Sequence, residues 1–421
     1  MKQLLLSLAF LSLTGLGFAQ EKGISFERGK SWEQIKAKAK AENKYIFMDV
    51  FATWCGSCKD MEKNVYPSQV VGSFMNEKFI SVKVQADHSK EDNEEVMAWY
   101  QDAKRILEDC HIDGYPSYLF FSPEGKLVTR GLGYKDVNAL VTLASEAIDP
   151  QKQYCTQLEQ FKQGKLELKR MPDLARKAKS FGEIELAQQI ANRYVNGYLL
   201  KLPKQELFTK ENLNLIGSFL DNENSKAFEL FMKEQEKINA VLGDNQAEKM
   251  VLLFIDKKYL PHGDLKKIKK ADWDDLYKMV VSKFGILGEE QICAQRMMYY
   301  LINEDWRNYG LWYQKYLERG LKRGVYNINF LSWRLFEHVN DPEILEFACG
   351  VMKYVIETWD QNSVESFDTY ANLLYKVGKK TQAVEWEERA VKLSNDKNEF
   401  VETLDKMKQG LPTWQEISTN P

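Results

Sequence analysis

The chain has 421 residues, 44% hydrophobic and 28% charged, which asks for two or more cores and excludes a disordered polypeptide. A formal net charge of -3 gives no electrostatic ground for binding nucleic acid or an anionic membrane. Six cysteines (Cys55, Cys58, Cys110, Cys155, Cys293 and Cys349) are too scattered, apart from one close pair, for a small disulfide-stapled scaffold.

Residues 1–19 differ from the rest. Lys2 precedes an apolar run from Leu4 to Leu16, and Gly17-Phe18-Ala19 sets small residues three before and next to a cut before Gln20. That pattern predicts a secretory signal peptide. A membrane anchor needs about 20 apolar residues, and this run is shorter and followed by Glu21-Lys22. No cysteine lies at the cleavage point, so no lipoprotein anchor is expected. The expected mature protein is soluble and either periplasmic or secreted, where disulfides persist.

Ile24-Ser25-Phe26 reads as a short first strand. Ser31 with Gln34 three residues on has the capping-box form and opens a helix over 32–41. The apolar run Tyr45–Ala52 reads as a buried strand interrupted by one carboxylate, Asp49. A helix to about Tyr66 follows the close cysteine pair, Pro67-Ser68 breaks it, and 70–76 is helical again. Residues 79–84 alternate as a strand, and the acidic stretch 87–95 leads into a helix over 96–109. Cys110–Pro116 is a loop before the strand 117–121. Pro123-Glu124-Gly125 is turn chemistry, with a strand over 126–129 beyond it and a helix over 135–147. This order predicts an α/β sheet covered on both faces in residues 20–150.

After Pro150 the strand patterns stop, and residues 151–421 read as an all-α domain. Apolar spacing of period 3.6 marks 174–190, 252–259 and 292–301. Small residues at Ala371, Gly378, Ala383 and Ala390 have the 34-residue helix-pair spacing. Ala175, Gly182 and Ala187 suggest an earlier copy, and Ala348, with Phe330–Trp333 upstream, a third. Between about 200 and 320 the pattern is too degenerate to count repeats. The aromatic run 306–316 reads as helix packing or, more sharply, a peptide groove.

The chemistry centres on Trp54-Cys55-Gly56-Ser57-Cys58-Lys59, where a buried strand runs into a helix. The first sulfur falls among the unpaired N–H groups of the helix's first turn, where the dipole favours thiolate. The second lies one turn on, within disulfide reach. This predicts a thiol–disulfide exchange site. The alternatives are a structural disulfide or half a zinc site, and no second Cys-x-x-Cys or His-x-x-x-His completes a metal set. Asp49, six residues before Cys55, and Lys83, in what should be the adjacent strand, are candidates for a proton relay to Cys58. Pro116, after Gly114-Tyr115, is a candidate cis proline that would leave the backbone of Tyr115 open to an extended peptide. Cys110 and Cys155 either pair or remain single thiols, while Cys293 and Cys349 read as core packing.

On these residues (Trp54–Lys59, Asp49, Lys83 and Gly114-Tyr115-Pro116) the segment of roughly 25–148 resembles the thioredoxin family. The resemblance implies that Cys55 attacks and Cys58 resolves through a redox-active disulfide. It further implies that Asp49 and Lys83 form a buried pair assisting proton transfer, and that Trp54, Tyr115 and a cis Pro116 dock the substrate. Ser57 stands where that family usually has proline, Phe51 where thioredoxin has tryptophan, and the insertion 87–109 is longer. The missing proline predicts a midpoint potential above thioredoxin's approximately -270 mV. The whole chain resembles exported bacterial thioredoxin-like proteins with a tetratricopeptide-type helical C-terminus, as in Bacteroidetes.

The reading is an exported thiol–disulfide oxidoreductase that reduces disulfides of periplasmic protein substrates. It uses no dissociable cofactor, binds no nucleic acid and works with a membrane thiol-electron donor. The rival is an adaptor whose helical array binds peptide or protein, with the sheet domain a tether.

Overall fold

The central strand β1 (Tyr45–Phe51) is flanked by β2 (Phe79–Gln85) and β3 (Ser117–Phe121), and β4 (Leu127–Leu132) lies outside β3. In this computed structural model, which describes residues 23–415 apart from 325 and 396, the sheet order is β2-β1-β3-β4. The signal-peptide reading of residues 1–19 lies outside the described residues. β1 and β2 are parallel, with Asp49 opposite Lys83 in register, whereas β1–β3 and β3–β4 are antiparallel. The expected strand at 24–26 is reduced to one bridge, Phe26 to Ser81.

Alternation along β1 divides the core. Ile46, Met48 and Val50 face one side, where they meet Trp32, Ile35 and Ala39 of α1 (Trp32–Glu42) and Trp99, Ala103 and Ile106 of α4 (Glu94–Asp109). Phe47 faces the other side. There it meets Met61 and Val65, in the π-helical turn that continues α2 (Gly56–Asp60), and Val71 and Met75 of α3 (Gln69–Lys78). Leu140 and Ala144 of α5 (Val137–Ala147) complete that face. Period-2 alternation thus sends Asp49 to the same side as Phe47. Ser31 closes the expected capping box with Gln34 at the head of α1.

Three further helices, α6 (Tyr154–Lys162), α7 (Met171–Ser180) and α8 (Ile184–Gly197), follow Pro150. By contacts the chain divides into two units, one ending at Tyr194 and one beginning at Val195, so α6, α7 and most of α8 group with the sheet. Lys126–Glu159 (2.9 Å) and Lys177–Glu146 (2.6 Å) tie them to it, as does the Arg130–Glu183 ion pair. The helix pair anticipated from Ala175, Gly182 and Ala187 is α7–α8, with both alanines buried and Gly182 turning at φ +76°.

The second unit is helical throughout its described residues. Its helices 364–376 and 380–393 pack as a hairpin through Ala371, Ala383 and Ala390, each without exposed surface, with Gly378 in the turn at φ +87°. Between 200 and 320 helix length runs from 4 residues (Lys204–Leu207) to 33 (Lys270–Ile302). The long helix kinks where Gly285 takes φ +56°. The aromatic run is structural: Tyr309, Trp312, Tyr313 and Tyr316 are buried, and the Tyr309 hydroxyl donates to the Leu331 carbonyl at 2.7 Å. Cys293 and Cys349 are core residues of this unit. Among the described residues no helix is long and apolar enough to cross a membrane.

Candidate active site

β1 delivers the chain into α2 at Cys55. This residue is the helix N-cap, with extended backbone (φ -76°, ψ 109°), and its Sγ accepts the Cys58 N–H at 3.1 Å. A sulfur at an N-cap takes the place of the oxygen that usually satisfies an orphan helix donor. Cys55 and Cys58 are joined by a disulfide, Cα to Cα 5.3 Å. The Ser57 hydroxyl lies 3.4 Å from Cys55 Sγ. Both cysteines are nearly buried, against Ala52, Phe51 and Tyr115, whereas Trp54 is 70% exposed.

Tyr115 approaches from the loop between α4 and β3, and the Tyr115–Pro116 peptide bond is cis. Its ring meets that of Trp54 edge-on, centroids 5.9 Å apart. The Pro116 carbonyl accepts the Gly133 N–H at 2.8 Å, and the Gly114 carbonyl accepts the Ser117 hydroxyl at 2.7 Å. Among the described residues the backbone N–H and carbonyl of Tyr115 have no such partner.

Asp49 is 2% exposed, and its Oδ1 has no hydrogen-bond partner among the described residues. Burial pushes its carboxyl up to about 7; the nearby Tyr66 hydroxyl and the Lys83 charge pull it down, and the Glu62 charge pushes it up. Tyr66 is close enough to act through its dipole, and among the described residues its hydroxyl completes no hydrogen bond, which makes it an electrostatic neighbour of Asp49. Cys58, in α2, stands three residues before Met61, which packs into the cluster on Asp49's side of the sheet.

Lys83 stands opposite Asp49 in register, but its ammonium pairs with Glu62 at 2.6 Å, in a half-exposed position over the Phe26 ring (4.9 Å). The pair implied by the resemblance is thus a triad in which Lys83 touches Glu62 and acts on Asp49 through space.

Two residues of this arrangement escaped the sequence reading. Glu62 was hidden because its contact depends on how the π turn 61–65 rotates α2 over β2. Asp87 accepts the Thr53 N–H at 2.9 Å and bonds the Thr53 hydroxyl, one residue before Trp54. Extending the β1–β2 register past Phe51–Gln85 points from Thr53 to Asp87 and was the available signal. The 87–93 segment is in turn pinned by Asp92, which accepts from Gln85 Nε2 at 2.9 Å and the Ser89 N–H at 2.8 Å.

Strand order and direction, helices on both faces and the placement of the cysteine pair make the N-terminal unit a thioredoxin-like domain, followed by a helical-repeat region. Residues 29–145 match a family model described as "Thioredox_DsbH: Protein of unknown function, DUF255". The chain is 28% identical over 118 residues to the thiol:disulfide interchange protein DsbD of Actinobacillus pleuropneumoniae, covering 27% of this chain and 18% of that protein. It is 32% identical over 120 residues to DsbD of Pseudoalteromonas atlantica, covering 28% and 18%. The chain thus spans under a fifth of the length of these relatives. A solution structure of a putative disulphide-isomerase from Bacteroides thetaiotaomicron is similar at 26% identity, covering 31% of this chain and 98% of that one, with a TM-score of 0.26.

Proposed function

We propose that the protein is an exported thiol–disulfide oxidoreductase that reduces disulfides of periplasmic proteins through Cys55 and Cys58. The observation that carries this reading is the disulfide at the head of α2, with Cys55 Sγ accepting the Cys58 N–H. Once the pair is reduced, the same N–H and the Ser57 hydroxyl favour charge on Cys55 Sγ, as does the helix dipole.

In the forward direction the Cys55 thiolate attacks one sulfur of a substrate disulfide, whose S–S bond breaks. The released substrate thiolate takes a proton, leaving a mixed disulfide on Cys55. Asp49 accepts the proton of Cys58, whose thiolate then attacks Cys55 Sγ and expels the second substrate thiolate. Two electrons pass to the substrate, and the Cys55–Cys58 disulfide is restored. A membrane thiol-electron donor would reset it by the reverse exchange. Trp54 and Tyr115 offer an aromatic platform, and the unpaired Tyr115 backbone offers strand-like hydrogen bonds to an extended peptide. We assign the helical region to binding the protein partner.

The test is reduction of insulin by the full chain with dithiothreitol as the reductant. The reading expects turnover that Cys55→Ser abolishes and Cys58→Ser converts into a trapped mixed disulfide. A full chain no faster than dithiothreitol alone would leave the adaptor reading in its place.

A further inference from the structure

Arg130, in β4, joins two distant stretches of the first unit. Its Nη1 donates to the Cys110 carbonyl at 3.0 Å, and its Nη2 pairs with Glu183. Glu183 also accepts the hydroxyl of Tyr154, the neighbour of Cys155 in the first turn of α6. The Phe181 ring closes the cluster, 4.7 Å beneath the Arg130 guanidinium and 5.0 Å from the Tyr154 ring. This chain of contacts brings the loop after α4 and the head of α6 to one guanidinium. Both Cys110 and Cys155 are free thiols, each partly buried.

We propose that Cys110 and Cys155 are a second redox-active dithiol, closing into a disulfide between the loop after α4 and the first turn of α6. Arg130 eases the charged form of both thiols, and a charged Cys110 opposes charge on Cys155. Burial nevertheless pushes both up to about 11. At neutral pH both are held protonated and exchange slowly.

The reaction is balanced by a small-molecule disulfide such as oxidised glutathione. One thiolate of the pair attacks a glutathione sulfur, and the first glutathione leaves as thiolate and takes a proton. The other thiolate attacks the protein sulfur of the mixed disulfide and expels the second glutathione. Two thiol protons and two electrons leave the protein, and two glutathione thiols form. Tyr115 lies five residues beyond Cys110 in the same loop, where His111 holds φ +49°, so closure fixes the segment that leads to the cis peptide.

The full-length chain carrying Cys55→Ser and Cys58→Ser is incubated with oxidised glutathione at pH 8.5, quenched with acid, alkylated and mapped by mass spectrometry. These variants keep the outcome independent of the oxidoreductase reading. The expected result is loss of two of four thiols and one peptide linking Cys110 to Cys155, absent when the same incubation is done in guanidinium. The wild-type chain, mapped likewise, gives the same link and guards against a misfolded variant. Thiols that stay free, or that each carry glutathione without a link, overturn the proposal.

Discussion

Burying Asp49 with an unpaired carboxylate oxygen is costly in its ionised form and much less so in its neutral form, which is why its proton is held to about pH 7. Its pKa is raised on folding from an ordinary 3.8. The stability this proton contributes is therefore full below about 3.8 and lost as pH rises through about 7. Asp49→Asn removes that dependence while slowing resolution by Cys58 about 10²-fold or more; thermal melts at several pH values measure the first, and stopped-flow decay of the mixed disulfide the second. The neighbours give a finer check. Glu62→Gln removes a charge that raises Asp49 and frees Lys83, which lowers it, so the inflection in the resolution rate moves to lower pH. Lys83→Met moves it up. Inflections that do not move, or that move oppositely, contradict Asp49 as the titrating base. The cysteines, Asp49, Lys83 and Tyr115-Pro116 were legible because each breaks a local pattern: a carboxylate in an apolar strand, a Cys-x-x-Cys at a strand–helix junction. Glu62 and Asp87 were not, because an acidic residue on a helix or loop breaks none.

At the scale of elements, the strands and helices of the sheet unit fall within a few residues of the periodicity, since period 2 and period 3.6 are set by which face meets the core. The sequence pattern changes at Pro150, where strands cease, but helices α6–α8 remain with the sheet through Arg130–Glu183, Lys177–Glu146 and buried Tyr154. Contacts of this kind leave no local signature. A chain ended at Asp149 forfeits Tyr154 and Phe161, at about 2 kcal/mol each. It should therefore melt about 10 °C below a chain ended at Gly197, given about 2–4 °C per kcal/mol. Equal melting temperatures by calorimetry would contradict the assignment of α6–α8 to the first unit. In the second unit, helix hairpins with alanine contacts (Ala371, Ala383 and Ala390) were readable, whereas the irregular helices between 200 and 320 share no period.

That hairpin also carries a carboxyl pair, half-buried Asp368 and buried Glu387, both raised by burial, with Asp368 further raising Glu387. Two carboxylates cannot bond each other, and both Glu387 oxygens lack a partner among the described residues; one shared proton supplies the bond. Because the folded pair holds its proton above the ordinary carboxylate range, its stabilising effect is full in acid and lost as pH rises past neutrality. Glu387→Gln should flatten the fall in thermal stability of the full chain between pH 6 and pH 9, as read by circular dichroism. An unchanged slope would remove the pair from the account.

For the molecule as a whole, the proposed function gives the exchange chemistry to the sheet unit and partner binding to the helical region. What the two do together depends on the direction in which electrons flow through Cys55 and Cys58. Gly56-Ser57 between the cysteines is expected to place the midpoint above the value of about -270 mV for thioredoxin, and the proposed service as a reductase requires it below about -200 mV. The most direct measurement is equilibration of the full chain with glutathione buffers, counting free Cys55 and Cys58 thiols by mass spectrometry. The account predicts reversible titration of the pair between about -270 and -200 mV. A value near about -120 mV would make the protein an oxidant, and a pair that never exchanges with glutathione would contradict the oxidoreductase reading itself.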